Sequence, residues 1–134
     1  MKTNQIIIET CRIYEPPETK DGLWFLVDRL WPRGLKKDKL PFDAWLKEIA
    51  PSSELRKWFN HDPARWQDFS SRYIDQLSHN PTLIEEVIIK ANQSKIILFY
   101  AAKNKQYNHA KIIKASIESW PKTPEINQFS KHSR

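Results

Sequence analysis

The stretch "LWFLVDRLWPRG", Leu23 to Gly34, decides the fold. Its first five residues, Leu23 to Val27, are apolar without a break. An apolar run of strand length with no alternation marks a strand covered on both faces, the kind found inside parallel sheets. Directly behind it come Asp28, Arg29 and Arg33, with Trp31 between the arginines and Pro32 and Gly34 breaking the chain. So much charge at the end of a buried strand has two readings. Either the groups satisfy one another as an internal ion-pair clasp, or they face a cleft and hold a ligand.

Outward from that stretch, "KIILFYAA" (Lys95 to Ala102) repeats the apolar pattern and reads as a second buried strand. "QIIIETCRIY" (Gln5 to Tyr14) combines β-branched residues with alternation and reads as a third. From Pro41 to about Asn92 the apolar spacing becomes helical. "FDAWLKEI" sets Phe42, Trp45, Leu46 and Ile49 on one side, and "SSELRKWF" does the same with Leu55, Trp58 and Phe59. In "HDPARWQDFSSRYIDQL", Asp62 is placed to cap a helix whose stripe is Trp66, Phe69, Tyr73 and Leu77. "HNPTLIEEVIIKAN" repeats the device with Asn80 and Pro81. After "KNKQY", "NHAKIIKASIESW" is a last helix, with Asn108 as N-cap and Ala110, Ile113 and Ile117 inward. Strand, strand, helices, strand, helix predicts an α/β fold. We expect a small, mainly parallel sheet flanked by helices in a three-layer, Rossmann-like arrangement, with Leu23 to Val27 beside Lys95 to Tyr100 across a helical crossover.

A chain of 134 residues is the length of one domain. That domain is expected over residues 1–120, with 121–134 as a polar, proline-bearing, flexible tail. One cysteine, Cys11, excludes an internal disulfide framework, and His61, His79 and His132 lack metal-ligand spacing, so no metal site is expected. With two glycines in all, neither the glycine-rich dinucleotide fingerprint nor a P-loop is present, and no cofactor is expected. The N-terminus lacks the apolar core of a signal peptide, and no run approaches the roughly 18 apolar residues of a membrane span. A cytoplasmic protein with no membrane partner is the default. The net charge is +6. Its excess gathers in "DRLWPRGLKKDK" and in residues 90–134, which suits a small anionic ligand or nucleic acid, and suits a solvated lysine-rich surface as well. Nothing in the sequence sets an oligomeric state.

In open parallel sheets, ligands bind outside the carboxyl ends of the strands, where loops and helix starts converge. If the two apolar strands are parallel, "DRLWPRG" and "YAAKNKQYNHA" leave the sheet at one edge. Asp28, Arg29 and Arg33 then meet Tyr100, Asn108 and His109. Arg29 and Arg33 would bind a small anion, with phosphate- and nucleotide-containing ligands among the choices, through planar paired donors. Asp28 and His109 are the acid-base candidates, Tyr100 and Asn108 would position a ligand, and Trp31 is either core or a stacking platform over the cleft. Against this stand the structural readings: an ion pair at Asp28, a capping or surface role for His109, a buried ring at Tyr100. Whether such a site catalyses is open. The alternatives are a nucleic-acid-binding module built on the basic tail with Lys36, Lys37, Lys39 and Trp31, and an interaction domain without catalysis.

Three segments, "VDRLWPRG", "WLKEIAPSSELRKWFNHDPARWQDFSSRY" and "LFYAAKNKQYNHA", in this order, resemble the YeaO-like branch of the domain of unknown function 488 family. The resemblance covers about Ile6 to Ile117 and implies a compact cytosolic α/β protein. A sister branch has an analogous stretch after its strand, and cysteines near its last strand and helix. On that comparison Asp28, Pro32, Arg33 and His109 match, while Tyr100 and Asn108 stand where the sister branch has cysteines. The departure weighs against thiol or metal chemistry here.

Overall fold

A computed structural model describes residues 6–124. The chain forms strands β1 (Ile8–Arg12), β2 (Leu23–Leu26) and β3 (Ala44–Trp45), helices α1 (Ser53–Phe59), α2 (Trp66–Ser78) and α3 (Thr82–Ala91), strand β4 (Ile96–Tyr100) and helix α4 (His109–Glu118). The strands make one sheet in the order β1-β4-β2-β3, and every pairing is parallel. Phe25 lies opposite Leu98 and Leu26 opposite Phe99, so the two uninterrupted apolar runs are neighbours. This is the small parallel α/β sheet that the sequence predicts.

Alternate residues of β2 and β4 feed two separate cores. Phe25, Ile96, Leu98 and Tyr100 face the helices, where they meet Phe69, Tyr73, Ile84, Val87, Ile112 and Ile113. Trp24, Leu26, Ile97 and Phe99 face the other way, toward Trp31, Leu35, Leu40, Phe42 and Trp45. The three layers are therefore helices, sheet and an aromatic loop, 28–43. Both apolar runs need covering on two sides, and the helices supply only one.

Of the expected caps, Asp62 and Asn108 form, while Asn80 does not: Pro81 stands at the N-cap of α3 with no side-chain cap, and Asn80 Oδ1 accepts from the Thr82 hydroxyl instead. Ser52 accepts from the Leu55 amide to start α1, and Asp62 accepts from Ala64 in the 3-10 turn Pro63–Arg65 that leads into α2. Asn108 accepts from Lys111 to start α4. At the start of β2, Gly22 has φ +86°, and a Cβ there would stand 2.3 Å from the Lys95 carbonyl oxygen, so only glycine lets the two central strands begin side by side.

The helix expected over 42–49 is not formed. Ala44–Trp45 is strand, and Lys47–Ile49 is a single 3-10 turn. The edge of β2 explains the difference. Its carbonyls at Trp24 and Leu26 accept from Asp43 N (2.7 Å) and Leu46 N (2.8 Å), and the Asp43 carboxylate takes the Trp24 amide at 2.8 Å. Between Pro41 and Pro51 a helix could offer few internal bonds, whereas the open sheet edge satisfies backbone groups of both partners. Trp45 accordingly packs with Trp31 on the loop side of the sheet.

Among the described residues no helix is long and apolar enough to cross a membrane. The first residues of the expected tail pack back: Lys122 N donates to Ser119 O at 2.8 Å and Pro124 is buried. The remainder, 125–134, lies outside the described residues.

Candidate functional site

Because β1, β4 and β2 are parallel, their carboxyl ends share one edge of the sheet. A cleft of about 630 Å³ opens there. Its walls come from the loops after β2 and β4, the segment 50–51, the α1–α2 corner and the start of α4.

Asp28 and His109 form the floor. Asp28 Oδ2 accepts from the Ala101 amide at 3.0 Å, just beyond the end of β4. His109 Nε2 is 2.9 Å from the Val27 carbonyl and 3.2 Å from Asp28 Oδ1. Both neighbours are acceptors, so Nε2 must carry the proton. Its side chain is 14 % exposed and that of Asp28 15 %. Asp28 Oδ1 is buried and has no hydrogen bond of good geometry among the described residues, so the nearby imidazole compensates it electrostatically. Together the two side chains tie β2, β4 and α4 into one junction. A clasp does exist at this strand end, and the partner of Asp28 is His109, across the sheet edge, rather than the adjacent arginine.

Arg29 is held separately. Its Nη2 donates to Ala50 O at 3.0 Å and its Nε to Pro51 O at 3.3 Å. Two backbone carbonyls thus hold a guanidinium at the wall of the cleft, and Nη1 makes no hydrogen bond among the described residues. Arg56 and Lys103 also line the cleft, and neither side chain has an ion pair there among the described residues. The only carboxylate lining the cleft, among the described residues, is Asp28.

The structure brings Asp28, Arg29, Asn108 and His109 together on this cleft and leaves three other sequence candidates away from its lining. Trp31 lies under the opposite face of the sheet, edge-on to Phe42 and Trp45, with Nε1 donating to Leu35 O at 2.6 Å. Its ring is core, and the reading as a stacking platform is corrected: the apolar face of Trp24, Leu26 and Phe99 takes it in. Arg33 is exposed, and its carbonyl accepts from the Tyr14 hydroxyl at 2.8 Å, which places it on the far side of the loop. Tyr100 is 2 % exposed in the helix-side core. Burial pushes its hydroxyl pKa up, with a smaller opposing effect from a hydrogen bond to Asn108. Asn108 itself is spent on architecture: Oδ1 caps Lys111 N, and Nδ2 donates to Asn104 O at 3.0 Å.

Several lining residues went unmarked in the sequence. Lys103, Asn104 and Tyr107 belong to "KNKQY", a loop that the crevice rule does bring to this edge without singling out these side chains. Arg56 and His61 could not be found that way, because only the packing of α1 and α2 against the sheet brings them here. His61 follows the αL residue Asn60 and is itself left-handed, with φ +50° and +55°. Consecutive positive φ values in non-glycine residues are uncommon and cluster at functional corners. The corner carries His61 to the cleft wall. Among the described residues there is no group of His, Cys, Asp and Glu fit to hold a metal.

The family described as "Inactive DUF488-N3 subclade" matches residues 7–131 of the chain. Uncharacterized protein YeaO of Escherichia coli (strain K12) is 41% identical over 106 residues, covering 79% of this chain and 92% of YeaO. Uncharacterized protein Rv3073c of Mycobacterium tuberculosis is 35% identical over 106 residues, covering 79% of this chain and 89% of that protein. No solved structure matches the chain at a significant level.

Proposed function

We propose, from the premise that the chain belongs to the DUF488-N3i family, that it is a non-catalytic binding protein for a small organic anion, held in the cleft at the carboxyl edge of the sheet. One observation carries the reading. The cleft presents Arg29, Arg56 and Lys103, while its single carboxylate, Asp28, is already engaged by His109 and the Ala101 amide. Arg29, half-buried and already held by two carbonyls, loses little freedom on binding an anion, and Arg56 and Lys103 add exposed positive charge beside it.

The non-catalytic reading rests on how Asp28 is used. A general base must have a lone pair within reach of the proton that it abstracts. Here Asp28 Oδ2 accepts from Ala101 N and Oδ1 is buried, while His109 turns Nε2 to Val27 O and Asp28, so that only its Nδ1 keeps a lone pair. The pair holds the floor of the site in place. The word "inactive" in the family's description agrees with that use.

The test is isothermal titration and thermal shift at low salt with inorganic phosphate and phosphate monoesters. A ligand that binds only the native state must raise its apparent stability, by about 2.7 kcal/mol at a hundredfold excess over Kd. Arg56→Ala with Lys103→Ala removes two exposed cations without disturbing an internal ion pair, so the doubly substituted protein is expected to fold normally and lose at least tenfold in affinity. If no anion stabilises the wild-type protein at millimolar concentration, the reading fails.

A further inference from the structure

The cleft is far larger than inorganic phosphate requires; about 630 Å³ falls in the range of roughly 300–1,000 Å³ that holds drug-sized ligands. Its inner wall is aromatic. Phe59 and Phe69 stack with centroids 4.4 Å apart and planes 24° apart, and Tyr107 stacks on Trp66 at 5.2 Å and 23°. Phe59, Phe69 and Tyr107 all line the cleft. Flat rings braced by other rings form a stiff platform, and a planar ligand gains most from one.

Two further features narrow the ligand. Asn104 Oδ1 accepts from both Gln106 N and Tyr107 N, each at 2.8 Å, which fixes the amide and leaves Nδ2 with two donor hydrogens at the cleft. A ring edge bearing acceptors would meet them; a plain hydrocarbon ring would not. Three cations against one carboxylate leave the lining with an excess of two positive charges, which matches a phosphate monoester.

We infer that the occupant of the cleft is a nucleoside monophosphate, its base on the half-buried ring of Tyr107, with the buried Phe59 and Phe69 behind it, an acceptor edge toward Asn104, and its phosphate on Arg29, Arg56 and Lys103. The inference rests on the anion-binding reading and goes beyond it by naming the ligand's class. No glycine-rich phosphate loop takes part. Side chains supply the charge, Arg29 held in place and Arg56 and Lys103 exposed, and Leu30, 63 % exposed at the edge of the cleft, supplies apolar cover.

The experiment is calorimetric titration of the full chain with the four common nucleoside 5′-monophosphates, ribose 5-phosphate and inorganic phosphate. At least one nucleotide is expected to bind tenfold or more tighter than ribose 5-phosphate, as one base stacked on an aromatic ring provides. Tyr107→Leu should remove that advantage and leave ribose 5-phosphate binding unchanged, while Tyr107→Phe should keep it. The wild-type comparison stands even if Tyr107→Leu fails to fold. Equal affinity for all nucleotides and ribose 5-phosphate overturns the inference and leaves the anion reading intact. If none of the phosphates binds, both fall.

Discussion

At the scale of single residues, the junction of Asp28 with His109 does the most for the structure. Removing the imidazole leaves a buried carboxylate oxygen with no compensating group, a loss of about 1–3 kcal/mol. His109→Ala should therefore lower the urea midpoint by a corresponding amount. In an Asp28→Asn background the same substitution should cost less than half as much, because the charge that needed the imidazole is gone. Additive losses in that double-mutant cycle would show that the two groups act independently. Half of this junction was legible: the end of a buried strand and the start of a helix converge wherever the sheet is parallel, so Asp28 and His109 could be paired from order and periodicity. The partner preference was not. Arg29 is adjacent to Asp28 in sequence, yet the carbonyls of Ala50 and Pro51 claim its guanidinium. No pattern in the sequence reports where carbonyls will point.

At the scale of elements, β3 shows where helical periodicity yields. Phe42, Trp45, Leu46 and Ile49 are spaced for a helix, but the backbone bonds to the open edge of β2, the rings of Phe42 and Trp45 meet the second apolar face, and Leu46 and Ile49 stay with the helix-side core. The pattern was read against one core, and the sheet has two. Asp43 pins this edge by accepting from Trp24 N while pairing with Lys20 at 2.8 Å. Burial pushes the Asp43 carboxyl pKa up, but the hydrogen bonds from Lys20 and the Trp24 amide outweigh it and hold the group below its ordinary 3.8. A carboxylate with a depressed folded-state value contributes stability above its unfolded pKa and loses it as pH falls through the folded one. The wild-type protein should accordingly lose more stability between about pH 5 and pH 3 than Asp43→Asn does, as measured by urea unfolding at a series of pH values. Matching pH slopes would mean that the edge is held by its backbone bonds alone.

At the scale of the whole molecule, the fold class, the central strand pair and four helices could be read from apolar spacing and caps. The cleft could be read only in outline. Its edge of the sheet and the loops that carry Arg29, Lys103 and Tyr107 follow from strand direction, whereas the packing of α1 and α2 alone brings Arg56, Phe59, His61 and Phe69 there. The strand order has a consequence in time as well as in energy. β1 and β2 lie near the N-terminus, yet each is bonded to β4, which lies beyond the helices at Ile96–Tyr100. A chain ending at Ser94 should remain without the native circular-dichroism spectrum, and a native spectrum from that fragment would show that the sheet does not depend on its central strand. During synthesis at about 5–20 residues per second, β2 must wait roughly 4–14 s for its neighbour to leave the ribosome. Throughout that interval Trp24, Phe25, Leu26 and Val27 lack the strand that completes both of their cores. The half-made protein therefore has a window of vulnerability to aggregation whose length is set by the distance along the chain between two strands that end up side by side.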